Sequence, residues 1–414
     1  MPIGKYLWLY NKTKSSLKVN KNWIITQSYF FTTPFFKENC TMKERNQKSP
    51  SSQGNSKANH LEVSKNLQHY PKVTFPISPF HSQQLTISTL KLDHHPAIND
   101  ILSATSRLSK EFGIQLEQSY ASHTSMTAFL YPKSGKYRIV IVNILYDLLY
   151  YIDDLFGEDI STANNEEKPS LSEIMNIWKT GKINPEYYNN LTNQKIKNVC
   201  DAMQWVRTKL FQSCEPAFFK KISKLLFEHL RDQLKPNAYQ NIEEYIHLRR
   251  NFSGMYVAIY LIEYCYSRYL TPEILEKVPS LQKAIDLCAD IGGLSNDIFS
   301  YPKESHSKFN LVNSFSVLND SISLGQAIQK SIDLVNNCHA DFNAAIKQIH
   351  TEIVGLEIDQ KATVLHFADG LKSILSATYH WQLVTQRYRH DNHILEDLKY
   401  QSDYTFDIDI KDAS

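Results

Sequence analysis

Two short stretches of this sequence gather oxygen ligands where their surroundings are apolar. The first, Tyr151-Ile152-Asp153-Asp154-Leu155-Phe156-Gly157-Glu158, closes a nearly continuous apolar run over residues 137–156. Carboxylates at the end of a buried run are costly to desolvate unless a cation neutralises them. At a helix C-terminus they also oppose the dipole, whose negative end lies there. The stretch reads as a cation site or, with the same residues, as a solvated helix terminus. The second is Asn296-Asp297-Ile298-Phe299-Ser300-Tyr301-Pro302-Lys303-Glu304. Asn296, Ser300 and Glu304 are spaced i, i+4 and i+8, so on a helix they rise along one face. An amide oxygen, a hydroxyl and a carboxylate form an all-oxygen donor set, which suits hard Mg²⁺ and not a soft metal. A polar stripe leading into a loop would use the same residue types. Pro302 lacks the N–H for its helical bond and is expected to kink or end the helix there.

Cations accompany both stretches. Arg249 and Arg250 interrupt an otherwise apolar helical pattern and are followed by Ser253-Gly254. A glycine inside a helix costs about 1 kcal/mol relative to alanine, so a helix break facing a ligand is expected there. Arg387-Tyr388 follows Trp381 on what reads as one helix and offers a guanidinium beside a phenol. A guanidinium fork matches phosphate oxygens bidentately, although a single arginine on a helix reads equally well as solvated. Taken together, two oxygen clusters, two arginine sites and Lys303 would bracket a diphosphate with its magnesium ions.

Helices must position these groups. Of the 414 residues, 42% are hydrophobic and 12% aromatic, with 24 Tyr and 20 Phe against 12 Gly and 15 Pro. That balance permits a large aromatic-walled core and disfavours an all-β chain with many tight turns. Helical spacing runs over residues 95–112, 137–156, 171–179, 193–213, 216–234, 241–269, 272–299, 323–353 and 360–389, with an acidic, serine-containing loop at 157–170. The expectation is one all-α domain over residues 72–395. It follows a disordered basic and polar leader (1–71) and precedes an acidic tail (396–414).

Several classes are disfavoured. A net charge of +2 gives no bulk attraction to nucleic acid. No segment approaches the roughly 18–20 apolar residues of a membrane span. Cys40, Cys200, Cys214, Cys265, Cys288 and Cys338 are scattered without a C-x-x-C pair, and read as thiols of a reduced compartment. The cytoplasm is the expected location, with organelle targeting by the leader as the other reading.

On these residues the chain resembles the class I terpene synthases of the bacterial type, similar to those also found in amoebae and octocorals. Asp153-Asp154 with Glu158 matches their DDxxxE motif. Asn296, Ser300 and Glu304, with Lys303, match their NSE triad. Arg250 lies 46 positions before Asn296, where that group places its diphosphate-sensing arginine, and Ser253 and Gly254 fall on its linker and effector positions. Arg387-Tyr388 matches its late Arg-Tyr pair, with Trp381 six positions earlier. The resemblance spans about residues 75–390.

It implies the helical bundle of the isoprenoid synthases, three Mg²⁺ ions and an isoprenoid diphosphate as small-molecule partner. Asp153 would be a direct metal ligand, with Asp154 and Glu158 supporting it, and Asn296, Ser300 and Glu304 would chelate another ion. Arg250, Lys303, Arg387 and Tyr388 would bond the diphosphate, and the Gly254 carbonyl would face the developing allyl cation. Tyr150, Phe252, Tyr256 and Phe299 would stabilise migrating positive charge by about 0.5–2 kcal/mol each. The expected reaction is ionisation and cyclisation of C20 geranylgeranyl diphosphate to a cyclic diterpene, because octocoral-type members resembling this chain make diterpenes. C15 farnesyl diphosphate, giving a sesquiterpene, is the alternative. A chain-elongating prenyl diphosphate synthase would repeat the Asp-rich motif where Asn296, Ser300 and Glu304 stand, and protonation-initiated cyclisation would need a DxDD motif that the sequence lacks. A non-catalytic helical isoprenoid-binding protein is the rival of another class. Either a monomer or a homodimer is expected.

Overall fold

The computed structural model describes residues 80–115, 123–156, 167–232, 238–319 and 321–399. The leader 1–71, Glu158 with most of its loop, and the tail beyond 399 lie outside the described residues. In chain order the helices are α1 (Ile98–Phe112), α2 (His123–Leu130), α3 (Lys136–Phe156), α4 (Glu167–Thr180), α5 (Pro185–Asn190), α6 (Gln194–Ser213) and α7 (Pro216–Asp232). Then follow α8 (Ile242–Phe252), α9 (Met255–Tyr266), α10 (Pro272–Lys277), α11 (Pro279–Glu304), α12 (Leu311–Leu318), α13 (Leu324–Glu352) and α14 (Ile358–Val384). Among the described residues there is no strand, only an isolated bridge between Phe80 and Leu395. The expected all-α class is the one observed.

α11 is the axis. It packs against α8, α9, α13 and α14, and its residues from Cys288 to Ser295 are buried without interruption. A helix apolar on every side has to be enclosed by others, and each fully buried large aliphatic side chain stabilises that enclosure by about 1.5–3 kcal/mol. α3 is the second buried rod, covered from Ile141 to Leu148 and packed on α1, α2 and α6. α13 starts with a capping box, in which Ser323 and Gln326 exchange side-chain bonds to each other's backbone N–H.

Departures from the expected elements have local causes. The single helix expected over 241–269 is two, because Gly254 takes φ +71° between α8 and α9, a conformation that glycine adopts without strain. Residues 272–299 are likewise divided: α10 ends before Val278, and Pro279 opens α11 at the position where a missing N–H costs nothing. α14 stops at Val384, so Arg387 and Tyr388 sit in a separate 3₁₀ turn and not on the helix of Trp381. α2, α5 and α12 are short helices that the spacing does not announce.

Packing also continues past residue 395. The Glu396 N–H donates to the Phe80 carbonyl at 2.7 Å, Asp397 accepts from Ser82 N–H at 3.0 Å, and Leu398 is fully buried. His393 fastens this segment to α11. Burial pushes its pKa down to about 4, so the ring is neutral; Nδ1 accepts from Leu395 N–H and Nε2 donates to the Phe299 carbonyl, both at 2.9 Å. Cys200, Cys214, Cys265, Cys288 and Cys338 are free thiols, and among the described residues no helix is long and apolar enough to cross a membrane.

Candidate active site

Asp153 and Asp154 end the last turn of α3 as expected, and a guanidinium meets them. Arg387 Nη2 lies 2.6 Å from Asp153 Oδ2 and Nη1 lies 3.0 Å from Asp154 Oδ1. The arginine side chain is 7% exposed and the two carboxylates 31% and 37%. Thr385 sets this up: it is extended, and its hydroxyl accepts from Arg387 N–H at 3.3 Å, which turns the chain off α14 and toward α3.

α11 runs through Pro302 to Glu304. Regular helix therefore spans all three expected ligands, and they keep their common face despite the proline. Asn296 is fixed from both sides: its Nδ2 donates to the Tyr388 hydroxyl at 2.7 Å, and its Oδ1 accepts from Arg249 Nη2 at 3.0 Å. Arg249 Nε also bonds Asp297 Oδ1 at 2.7 Å. The Tyr245 hydroxyl donates to Asp297, as does Leu311 N–H at 3.2 Å. Burial raises the Asp297 carboxyl, with Arg249 opposing that shift. Burial likewise works against the charge on Arg249, but Asp297, Tyr245 and Glu304 together outweigh it and raise the pKa of the guanidinium. Glu304 Oε2 accepts from Asn310 Nδ2 at 3.0 Å. Ser300 Oγ is buried without a hydrogen-bond partner. An orphaned hydroxyl between an amide oxygen and a carboxylate fits a hard divalent cation. Among the described residues no group of three His, Cys, Asp or Glu offers a competing metal cluster.

A cavity of about 670 Å³ opens between these clusters, within the range of small-molecule sites. Asp153, Asn296, Glu304, Arg387 and Tyr388 line it together. Its apolar wall includes Tyr146, Tyr150, Phe252, Phe309 and Trp381. Of the aromatics expected there, Tyr256 instead donates to Asp286 at 2.8 Å and Phe299 packs edge-on against Tyr379; neither lines the cavity.

The arginine pair departs from expectation. Arg249 lines the cavity, whereas Arg250 does not. Arg250 forks onto Asp290, with Nε–Oδ1 at 2.7 Å and Nη2–Oδ2 at 2.8 Å. Adjacent residues on a helix point about 100° apart, so only one of the two can face the pocket. The Gly254 carbonyl is not free either, since it accepts from Val257 and Ala258 N–H at 3.0 and 3.2 Å and so opens α9. Lys303, in the last turn of α11, is not among the lining residues; Lys308 and His306 from the following loop are. His229 at the end of α7 also lines the cavity. It shares no sequence motif with the other site residues, and only the fold brings it there.

The family described as "Terpene synthase family 2, C-terminal metal binding" matches residues 145–341, a span holding both oxygen clusters and the arginine pair. The match supports a class I terpene synthase. It is a lyase of the terpene synthase type, and its matched domain implies dependence on a divalent metal. The synthase is similar to sesquiterpene synthase Agr1 of Cyclocybe aegerita, 23% identical over 317 residues that cover 72% of this chain and 85% of the relative. It is similar to (+)-eremophilene synthase of Sorangium cellulosum, 22% identical over 286 residues, 66% of this chain and 80% of that one. Wild-type cucumene synthase shares the fold with a TM-score of 0.60 at 14% identity, covering 71% of this synthase and 98% of that structure.

Proposed function

We propose that this synthase ionises farnesyl diphosphate and cyclises the farnesyl cation to a sesquiterpene. Relatives similar over most of their own length are sesquiterpene synthases by name, which supports C15 over the C20 substrate expected from the sequence. The observation that carries the reaction type is the convergence of Asp153, Asn296, Glu304, Arg387 and Tyr388 on one aromatic-walled cavity.

In this reading Asp153 and Asp154 would hold Mg²⁺ on the α3 side of the cavity, and Asn296, Ser300 and Glu304 would hold Mg²⁺ on the α11 side. The bound metal supplies Lewis-acid stabilisation to the departing diphosphate. Arg387 and Tyr388 add hydrogen bonds where negative charge builds, an interaction that strengthens toward the transition state. Arg249 keeps the Asn296 amide oxygen oriented through its own bond to Asp297. Arg250 contributes to the diphosphate only if its fork leaves Asp290. Tyr146, Tyr150, Phe252, Phe309 and Trp381 enclose the hydrocarbon, exclude water and offer π faces to the cation.

The test is incubation with Mg²⁺ and each allylic diphosphate in turn, with gas chromatography of a hexane extract and a diphosphate-release assay. Farnesyl diphosphate is expected to give hydrocarbon. Hydrocarbon from geranylgeranyl diphosphate alone would reverse the chain length. A longer diphosphate formed only with isopentenyl diphosphate would make the protein an elongase, and no turnover of any substrate would leave an isoprenoid-binding protein.

A further inference from the structure

The cavity has a far end, and a chain of hydroxyls holds it in place. Its oxygen ligands lie toward or beyond the C-terminal ends of α3, α11 and α14. Away from them each helix stops contributing: no residue of α3 before Tyr146 lines the cavity, none of α11 before Gly292 and none of α14 before Thr378. Tyr146 stands seven residues before Asp153, about 10 Å of helical rise. Of these three limiting residues it alone carries a large side chain.

That ring is held from behind. Tyr131, fully buried just after α2, donates its hydroxyl proton to the Ala258 carbonyl of α9 at 2.8 Å. A phenol has one proton to give, so the Tyr146 hydroxyl, 3.1 Å away, is the donor to the Tyr131 oxygen. Burial raises the pKa of both phenols, and neither ionises near neutral pH. The relay turns both hydroxyls toward protein and leaves the Tyr146 ring as apolar wall. We infer that the Tyr146 ring sets the depth of the hydrocarbon pocket and thereby selects C15 over C20 chains. The assignment rests on the cyclisation proposed above and deepens it. A C20 chain carries five more carbons beyond the same diphosphate anchor, and they have to be placed at the end away from the metal ligands, where the ring stands. Extra carbons forced against a packed wall are destabilising, and one methylene alone shifts discrimination in an apolar pocket by about tenfold or more. Behind Tyr146 stands the buried Tyr131 ring, so truncation would deepen the pocket onto a second aromatic wall and not onto solvent.

The experiment gives wild type, Tyr146→Ala, Tyr146→Leu and Tyr146→Phe an equimolar mixture of farnesyl and geranylgeranyl diphosphate with Mg²⁺. Gas chromatography reads C15 and C20 hydrocarbon, and circular dichroism melts report folding. The C20 share of product is expected to rise at least about tenfold in Tyr146→Ala and Tyr146→Leu, and to stay within about threefold of wild type in Tyr146→Phe, which keeps the ring and drops the relay. Tyr146→Leu is the milder truncation and carries the test if the alanine variant does not fold. An unchanged C20 share in a folded truncation would overturn the assignment. So would an equal rise in Tyr146→Phe, which would give the limit to the hydroxyl relay and not to the ring. A wild type that converts both chains alike would overturn the assignment and leave the cyclisation standing. A wild type that releases no hydrocarbon from either would overturn the proposed reaction and this assignment with it, a result distinct from any variant outcome.

Discussion

The two oxygen clusters flank one cavity but are built in opposite ways. On α11 the cluster is part of the core: Asp297 and Ser300 are buried, and Arg249, Tyr245 and the Leu311 N–H hold the carboxylate between them. On α3 the cluster is at a helix end, its carboxylates about a third exposed and bridged by Arg387 from a turn more than two hundred residues away. One site is oriented by the same contacts that fold the bundle, so it is expected to be rigid before substrate arrives. The other is completed by a contact between distant parts of the chain, and that contact can be exchanged without unfolding anything. Preorganised oxygens cost little reorganisation during the reaction, while an exchangeable guanidinium is free to follow the diphosphate.

The largest effect expected is on turnover, and it is shared. Asn296→Ala and Asp153→Ala should each lower diphosphate release by at least about 10²-fold, with helical circular dichroism retained. Full activity in either variant would remove that cluster from the metal assignment. The clusters should then separate in stability. Asp297→Ala leaves the Arg249 guanidinium buried without its partner and is expected to cost about 3–5 kcal/mol in urea unfolding. Asp154→Ala removes a solvated partner and should cost at most about 1 kcal/mol. Equal losses would erase the distinction between a core site and a surface site.

A smaller effect tests the arginine that sequence and structure place differently. If Arg250 serves chiefly to fasten α8 to α11 through Asp290, Arg250→Ala and Asp290→Ala should be strongly non-additive. The double variant should be no less stable than the worse single one, with a coupling of about 1.5–3 kcal/mol. Additive losses would mean that the fork seen here contributes little. This pair also marks how far the sequence carries. The i, i+4, i+8 spacing of Asn296, Ser300 and Glu304 and the doubled Asp153-Asp154 are local patterns, and the helices around them follow from hydrophobic period. Whether Arg249 or Arg250 faces the pocket depends on the rotation of α8 about its axis, which packing against α11 decides. His229 and Lys308 reach the cavity through tertiary placement alone. Pro302 misleads in the other direction, since the helix runs two residues beyond it and keeps Glu304 on the ligand face.

The smallest effect concerns how α3 is anchored. On α11 a buried carboxylate is held by a guanidinium, whereas on α3 the buried carboxylate Asp147 has only a hydroxyl. Ser109 Oγ donates to Asp147 Oδ2 at 2.7 Å, and Asp147 Oδ1 is buried without a partner. Burial pushes this carboxyl up from 3.8 to about 7, the Ser109 bond opposing the shift. The folded chain therefore binds the proton more tightly than the unfolded chain between about pH 4 and pH 7. Stability is fully supported below that window, falls by up to about 1.4 kcal/mol per pH unit within it, and has lost the whole contribution above it. Asp147→Asn keeps the shape and removes the titration, and any cost of burying its amide is the same at every pH. Its melting temperature relative to wild type should thus rise between pH 5 and pH 8. A difference that stays flat across that range would mean that Asp147 is solvated enough to ionise freely, and that α3, like the cluster at its end, is held by contacts that do not depend on a buried charge.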